Sequence, residues 1–336
     1  MSDRLSPNLL AHIETELQHR VARLDAARTQ PYHEMLSYHM GWTGEGAGPE
    51  ATGKRIRPLL VLLTAAASGG EWQPALPAAA AVELLHNFSL VHDDIQDRSE
   101  KRRGRPTVWV KWGVAQAINA GDGLFVLSNL AITDLLAGYP AGIVVQAAQI
   151  LHEGSLELTR GQYLDISYEQ RGDLGVEDYW PMIGGKTAAL LSACCAIGAL
   201  LGGADEQTIE AYRSFGHYLG LAFQVQDDIL GIWGDEAVTG KSAASDLVEG
   251  KKSLPVLAGL GKKGKFAQRW AQGPIQQEEV EEIARQLASE SAYTASHEAA
   301  RQMTDLALNN LREADPQGEA GEALNDLAAK LLGRAM

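Results

Sequence analysis

The chain has 336 residues, of which 45% are hydrophobic and 6% aromatic, enough apolar material for one large domain or two smaller ones. The formal net charge of −14 at pH 7 argues against nucleic acid or an anionic membrane as the main partner. An anionic substrate would therefore have to be bound by local groups of cationic side chains or by metal ions.

Other bulk features are typical of a cytoplasmic protein. Cys194 and Cys195 are adjacent on an apolar stretch, where they are expected to be small, reduced core residues. The N-terminus is charged from residue 3 and lacks the apolar core of a signal peptide. The longest apolar run, 187–203, is too rich in small residues to span a bilayer well. We therefore expect a buried central helix there and no integral membrane segment.

The first part of the chain predicts helices separated by a glycine-rich loop. Residues 4–27 have the apolar spacing of an amphipathic helix. The loop at 41–53 leads into a helix predicted over 59–68. The sequence GKRIRP at 53–58 places three cations at the start of that helix. Together with the free N–H groups of a helix start, these cations would form an anion site, although a basic surface patch is the alternative.

The next predicted helix ends in an acidic cluster. Because residues four apart share a helix face, Asp93 and Asp97 point the same way, with Asp94 about 100° round the axis. The two carboxylates repel each other, and the negative end of the helix adds to the cost. A cation between them would offset this cost, and partly open oxygen ligands suit Mg²⁺ bridging to substrate phosphates.

Asp227 and Asp228 repeat this arrangement on a second apolar helix, predicted over 208–230. Two carboxylate-bearing helices predict a polynuclear metal site, whereas a solvated helix end is the simpler alternative for either one alone. The first cluster is followed at once by five cations: Arg98, Lys101, Arg102, Arg103 and Arg105. Carboxylates for metal beside arginines for phosphate favour a diphosphate site.

The remaining segments also predict helices and no strands. Helical spacing continues over 114–137, 141–166, 187–201 and 276–336. Gln162 and Asp165 lie on an otherwise apolar helix, where they face either a metal cavity or solvent. A loop rich in Gly and Asp spans 231–252. The fold class is therefore all-α.

In this combination and order, the motifs resemble those of the trans-isoprenyl diphosphate synthases (the polyprenyl synthetase family), from about residue 50 to 260. They are GKRIRP, His86, DDIQD (93–97), RRGRPT (102–107), Lys186-Thr187, FQVQDD (223–228), TGK (239–241) and EGKKSLP (249–255). The resemblance implies one domain over 1–336, a bundle of mostly antiparallel helices around a deep central cavity, with 276–336 as C-terminal packing helices. It also implies a homodimer that transfers dimethylallyl, geranyl or farnesyl groups from their diphosphates to isopentenyl diphosphate.

Site residues follow from the resemblance by position. Asp93 and Asp97 would hold two Mg²⁺ ions, and Asp227 a third, with Asp228 in support. The diphosphate contacts would be Arg102 on the allylic side, Lys54, Arg57, His86 and Arg103 on the isopentenyl side, and Lys251 closing over the site. The reaction centre would be lined by Lys186, Thr187, Phe223, Gln224 and Lys241.

The implied chemistry agrees with these residue types. Departure of diphosphate leaves an allylic carbocation, and metal ions and fixed cations stabilise the charge on the leaving group. The carbonyl of Thr187, the amide of Gln224 and the ring of Phe223 are candidates for stabilising the carbocation in a dry pocket. No side chain is an obvious general base, so pyrophosphate is the expected proton acceptor. We assign His86 to substrate contact and His92 to a structural role.

One position departs from the family pattern. The third aspartate that the family usually has in its second motif is Gly231 here. Asp235 lies one turn further but beyond Gly234, so we do not expect it to substitute. We therefore expect weaker binding of the third metal rather than loss of activity.

Product length is expected to depend on the residues one turn before Asp93, which are Ser89 and Phe88. In the family, two aromatic residues there stop the product at fifteen carbons, and one at the deeper position goes with twenty. The resemblance thus favours C20 geranylgeranyl diphosphate. Leu85, a further turn down, would either set a floor or let longer chains pass, and a C15 product remains an alternative.

Three other functions are alternatives for a chain with these motifs. A terpene cyclase or a head-to-head prenyl coupling enzyme would not need the isopentenyl-side cations Lys54, Arg57 and Arg103. A non-catalytic subunit that modulates a partner synthase would be expected to have lost the first aspartate cluster, which is intact.

Overall fold

The structure is a computed structural model that describes residues 2–234 and 245–333. The α-helices, in chain order, are α1 (Ser2–Val21), α2 (Gln30–His39), α3 (Pro49–Thr52), α4 (Ile56–Ala67), α5 (Leu76–Gln96), α6 (Val108–Trp112), α7 (Val114–Thr133), α8 (Ala141–Tyr168), α9 (Val176–Ile183), α10 (Ala189–Leu201), α11 (Glu206–Trp233), α12 (Ser245–Val248), α13 (Leu254–Gly261), α14 (Lys265–Trp270), α15 (Val280–Ser289), α16 (Ala292–Glu313) and α17 (Gly318–Leu332). A π-helical turn, Gly184–Ala188, precedes α10. The all-α prediction is confirmed.

A two-stranded hairpin that the sequence reading missed follows α5. Strand β1 (Lys101–Arg102) pairs antiparallel with β2 (Arg105–Pro106), and Arg102 lies opposite Arg105. The two turn residues, Arg103 and Gly104, both have positive φ, 51° and 74°. This is the backbone of a type I′ turn, the tight connection that suits hairpin twist. A strand of two residues is too short to show alternating hydrophobicity, which is why the sequence pattern did not predict it.

By their contacts, the described residues form two compact units. The first comprises Met1–His152, Cys194–Ile209 and Asp315–Leu324, and the second comprises Glu153–Ala193, Glu210–Ala314 and Asn325–Met336. The extent of the single domain predicted over 1–336 stays a prediction.

In the first unit, α5 packs against α1, α4 and α7. Its first half contains a run of four buried alanines, Ala78 to Ala81, which lets neighbouring helices approach closely. The helix ends at Gln96, and the N–H of Asp97 bonds the carbonyl of Asp93 at 2.8 Å. The acidic cluster therefore lies at the end of a long helix, as predicted.

In the second unit, α11 contributes to two apolar clusters. Leu221, Val225 and Ile229 pack with Tyr179 in the first cluster. Ile232 packs with residues of α13 to α15 in the second. The helix predicted over 208–230 is thus confirmed, with one extra turn at its C-terminal end.

Two helices are long and apolar enough to cross a membrane by length and composition alone, Val114–Ala137 and Val176–Leu201. The second is 78% buried, and Cys194 and Cys195 within it are buried and unpaired, in agreement with the predicted core helix. The first is only 44% buried. The cytoplasmic location stays a prediction.

Two glycines of α11 allow close backbone contact with the start of α10. A Cβ on Gly216 would lie 2.5 Å from the carbonyl oxygen of Leu191, and one on Gly220 would lie 2.5 Å from Cα of Ala188. Both neighbours are backbone atoms, which cannot move aside without shifting the helix.

We therefore expect Gly220→Ala to lower the free energy of unfolding by about 1–3 kcal/mol, the usual cost of overpacking. Urea denaturation followed by circular dichroism measures the change. Gly142→Ala is the matched control, because a Cβ there meets no atom within 4 Å. Equal stability of the two variants would contradict the close helix contact.

Candidate active site

The first acidic cluster is divided between solvent and the protein interior. Asp94 is 2% exposed, whereas Asp93 is half-buried and Asp97 is exposed. The hairpin brings Arg102 back onto α5, where Nε donates to Oδ1 of Asp94 at 2.8 Å and Nη2 to Oδ2 of Asp93 at 3.3 Å. Burial raises the pKa of Asp94 to about 6, although Arg102 opposes the shift. Asp94 therefore anchors the cluster from inside.

The predicted isopentenyl-side residues Arg57, His86 and Arg103 are neighbours. Nη1 of Arg57 lies 3.2 Å from Nε2 of His86. Burial, followed by the charges of Arg57 and Arg103, holds the pKa of His86 well below its usual range, so the ring is neutral and can accept from Arg57. Nη1 of Arg103 donates to the carbonyl of Ala51 at 2.8 Å. These partners of Arg57 and Arg103 are thus uncharged groups, so the positive charge of each guanidinium can interact with a bound anion.

Arg55 behaves differently from its neighbours in GKRIRP. It adopts the left-handed conformation with φ of 48° just before α4, and its guanidinium turns inward. Nη1 pairs with Glu83 at 2.8 Å and Nε with Glu14 at 2.6 Å, and Nη2 donates to the carbonyl of Met40 at 3.2 Å. Arg55 is therefore a structural cation, and the prediction that all three cations form an anion site is wrong for this residue.

His39 is a half-buried residue near these arginines that the sequence patterns did not single out. Its Nε2 is buried without a hydrogen-bond partner among the described residues. Burial, with Arg102 and Arg103 nearby, lowers the pKa of His39 to about 3. The ring is therefore neutral at physiological pH. A histidine at the end of an ordinary helix gives no sequence signal of this environment.

In the second unit, Asp227 and Asp228 repeat the division seen in the first cluster. Asp227 is exposed, and Asp228 is 4% exposed. Oδ2 of Asp228 accepts from the hydroxyl of Tyr179 at 2.6 Å and the N–H of Leu254 at 3.2 Å, and Oδ1 accepts from Nε2 of Gln224 at 3.0 Å. Burial nevertheless raises the pKa of Asp228 to about 6. Protein donors thus occupy Asp228, which leaves Asp227 as the outward carboxylate.

The predicted reaction-centre residues of the second unit lie on a π-helical turn and α11. Nζ of Lys186 forms an ion pair with Asp165, so Asp165 faces a cation rather than solvent alone. Oγ1 of Thr187 donates to Oε1 of Gln224 at 2.8 Å. π-Helical turns interrupt the regular hydrogen bonding of a helix and are frequent at functional sites. The turn therefore places Lys186 against Asp165 of α8 and Thr187 against Gln224 of α11.

Two late lysines belong to this site by prediction. Lys251 lies with Nζ 3.6 Å from Oδ1 of Asp246. Burial acts to lower the pKa of Lys251, but Asp246 and Asp228 outweigh it and raise the pKa, so the side chain is charged. Lys241 lies outside the described residues.

The predicted chain-length residue Phe88 packs against α7. The centroid of its ring lies 4.8 Å from the ring centroid of His92 and 5.1 Å from that of Phe125. Ser89 bonds the carbonyl of His86 at 2.7 Å, and Leu85 is 2% exposed. Phe125 comes from another helix, so spacing along α5 alone did not identify it.

Within residues 2–234 and 245–333, no three His, Cys, Asp or Glu side chains are close enough to hold a metal ion by themselves. The outward carboxylates are partly open oxygen ligands. Mg²⁺ commonly binds to one or two carboxylates and completes its coordination with water and substrate phosphates. The donor set of the two aspartate motifs therefore fits such an ion.

Residues 48–288 match the model of the Polyprenyl synthetase family, in stretches of both units. The chain is 45% identical over 240 residues to the geranylgeranyl diphosphate synthase of Mycobacterium tuberculosis, covering 71% of this chain and 68% of that one. It is 43% identical over 275 residues to the (2E,6E)-farnesyl diphosphate synthase of Mycobacterium bovis, covering 81% and 75%. A crystal structure of polyprenyl synthetase from Streptomyces coelicolor A3(2) superposes with a TM-score of 0.87 at 37% identity, covering 97% and 98%.

This chain therefore belongs to the Polyprenyl synthetase family and has the isoprenoid synthase fold. It is a prenyltransferase that makes prenyl diphosphates. The predictions of family, fold class and enzyme class are confirmed. The two curated relatives differ in product, C20 in one and C15 in the other, so similarity alone leaves the product length undecided.

The inward ion pair of Arg55 leads to a testable difference between neighbours. Arg55→Met would leave Glu83 as a buried charge without its cationic partner, which is expected to cost about 3–5 kcal/mol of unfolding free energy. Lys54→Met, at an exposed position, should change stability little and instead raise the KM for isopentenyl diphosphate. Urea denaturation and steady-state kinetics separate the two effects. A stable Arg55→Met variant with a raised KM would refute the structural role.

Proposed function

We propose that this protein condenses allylic diphosphates head to tail with isopentenyl diphosphate in the presence of Mg²⁺, and that its main product is C20 geranylgeranyl diphosphate. The observation that carries the reaction is the pairing of Arg57 with a neutral His86, beside Arg103, in the same unit as the outward carboxylates Asp93 and Asp97. A terpene cyclase or a head-to-head coupling enzyme has no need for these isopentenyl-side cations.

The substrate-binding side chains act through charge and geometry. Arg57 and Arg103 present planar guanidinium groups that can each bind two phosphate oxygens. Lys54, exposed two residues before α4, adds a cation on the isopentenyl side. Arg102 would exchange its contact with Asp93 for the allylic diphosphate. Lys251, held charged by Asp246, would close over the bound diphosphate.

Asp93, Asp97 and Asp227 are the proposed Mg²⁺ ligands, with three ions in all. Asp93 and Asp97 share a helix face, and their inward neighbour Asp94 holds that face in place through Arg102. Asp228 does the same for Asp227 through Tyr179. When bound, Mg²⁺ stabilises the negative charge that develops on the departing diphosphate.

The reaction centre combines one charged group with dipoles. Lys186, positioned by Asp165, would contact the leaving diphosphate, as would Lys241. The carbonyl of Thr187, the amide of Gln224 and the ring of Phe223 would stabilise the allylic carbocation. The bond between Thr187 and Gln224 fixes both groups in one orientation. The proton lost after condensation would pass to pyrophosphate.

Product length is proposed to depend on a wall of the substrate cavity, formed by Phe88 of α5 and Phe125 of α7. On α5, Ser89 is small and leaves room, whereas Phe88 fills space one position deeper. The rings of Phe125 and His92 support Phe88 from the side, so the wall is stiffer than a single side chain would be. Leu85 is buried and would come into play only if Phe88 moved. A C15 or longer product is the alternative.

A second copy of the chain is the proposed partner of α7. The helix exposes a row of large apolar side chains, among which Val126 is 55% exposed. The others are Val114, Ile118, Phe125 and Leu130. Apolar patches of this kind mark protein interfaces, and the family resemblance implies a homodimer.

The proposed reaction and the product length are tested in one assay. Purified protein is incubated with Mg²⁺, isopentenyl diphosphate and C5, C10 or C15 allylic primers, and product lengths are read by mass spectrometry. We expect a C20 product, longer products from Phe88→Ala and Phe125→Ala, and a shorter C15 product from Ser89→Phe. A chelator should abolish condensation.

The outcomes separate the two parts of the proposal. A C15 product from the wild type, or unchanged length in Phe88→Ala, would refute the wall while leaving the reaction standing. No condensation with any primer would reject the reaction and favour a modulating subunit.

Dimer formation is tested by placing a charge on the exposed face of α7. Val126→Asp would bury a carboxylate without a partner in the interface, which is strongly unfavourable. Sedimentation velocity should therefore show a dimer for the wild type and a monomer for the variant. Gln18→Asp, an exposed position on α1, is the control and should stay dimeric. A dimeric Val126→Asp variant would place the interface elsewhere.

A further inference from the structure

The missing aspartate of the second motif leaves a specific gap on α11. Residue 231 is four positions after Asp227, so both lie on the same face of the helix, one turn apart. Gly231 offers no side chain there. The space is nevertheless filled, because a Cβ on Gly231 would lie 2.4 Å from Oδ2 and 2.6 Å from Cγ of Asp246. A carboxylate therefore stands where a side chain of residue 231 would begin.

Asp246 is a buried carboxylate with an incomplete set of partners. It belongs to the short helix α12 and is 2% exposed. Its Oδ1 accepts no hydrogen bond from the described residues, and Nζ of Lys251 lies 3.6 Å away, beyond hydrogen-bond distance. An unsatisfied buried carboxylate oxygen is costly. Oδ1 of Asp246 is therefore an acceptor that a polar ligand at this face of α11 could use.

We propose that Asp246 supplies the third carboxylate of the second aspartate motif, in place of the side chain absent at position 231. Its role would be to bind, through water, the metal ion held at Asp227. The inference rests on the proposed function, in which Asp227 is a Mg²⁺ ligand. It also revises the expectation drawn from Gly231 alone, because the acidic group is present but comes from a different element.

The same geometry accounts for glycine at position 231. Any larger residue would push its Cβ into the carboxylate of Asp246, so the two positions are coupled. An aspartate on α11 and the observed place of Asp246 exclude each other unless one side chain moves. If Asp246 binds the metal, moving the carboxylate back to α11 with Gly231→Asp and Asp246→Gly should preserve metal binding. A purely structural role for Asp246 does not predict that result.

Metal binding tests the proposal directly. Binding of Mn²⁺ to the full-length protein is measured by electron paramagnetic resonance in the presence of inorganic pyrophosphate. Because loss of an outer-shell partner commonly weakens metal affinity by 10- to 100-fold, we expect Asp246→Asn to weaken binding of one ion by about tenfold or more. Glu249→Gln removes the same charge from an exposed position three residues on and should leave binding unchanged.

The exchange variant distinguishes a metal role from a structural one. Asp246→Gly should bind the ion weakly, and Gly231→Asp combined with Asp246→Gly should restore much of the affinity. Wild-type affinity in Asp246→Asn, with only a lower melting temperature, would overturn the proposal and leave Asp246 as a support for Lys251. If Asp227→Asn also bound Mn²⁺ like the wild type, the metal role of Asp227 in the proposed function would fall as well.

Discussion

Two neighbouring carboxylates on a helix point about 100° apart, so an aspartate pair at a helix surface cannot direct both side chains toward one ligand. The described residues meet this constraint in the same way twice. Asp94 and Asp228 turn inward and are held by protein donors, Arg102 for one and Tyr179 for the other. Asp93 and Asp227 remain outward. Each pair thus has one inward anchor and one outward carboxylate, which we propose as a metal ligand. A buried charge is tolerated only because its partners are present.

The anchors also organise the chain around them. Asp228 accepts the N–H of Leu254, which attaches the segment that carries Lys251 to α11. Arg102 reaches Asp94 because a tight hairpin reverses the chain just after α5. The two cations near the outward aspartates, Lys251 and Arg102, thus lie on segments that are held in place by the inward aspartates Asp228 and Asp94. Replacing Asp94 or Asp228 would therefore disturb both the neighbouring outward carboxylate and the cation beside it.

Buried cations follow the same rule as buried carboxylates. Buried Arg55 is neutralised by Glu83 and Glu14. The half-buried His39 and His86 are instead neutral, because desolvation and nearby arginines lower the pKa of each ring. In the motif GKRIRP, Arg55 therefore stabilises the fold, whereas Lys54 and Arg57 on either side of it are proposed to bind substrate. Arg55 and Arg57 have the same charge and lie two positions apart, but Arg55 pairs with two carboxylates, whereas Arg57 contacts the neutral ring of His86.

The sequence by itself determined the helical fold class, the family, and the placement of DDIQD at a helix end, since these follow from periodicity and local motifs. It also singled out Phe88 as an expected chain-length residue and showed that position 231 is a glycine. Only the tertiary structure decided that Arg55 turns inward, that Phe125 supports Phe88, and that Asp246 fills the space at Gly231. Each of these contacts joins residues that are distant along the chain. Spacing along one helix specifies which face a side chain occupies, but it carries no information about the atoms that another element brings to that face.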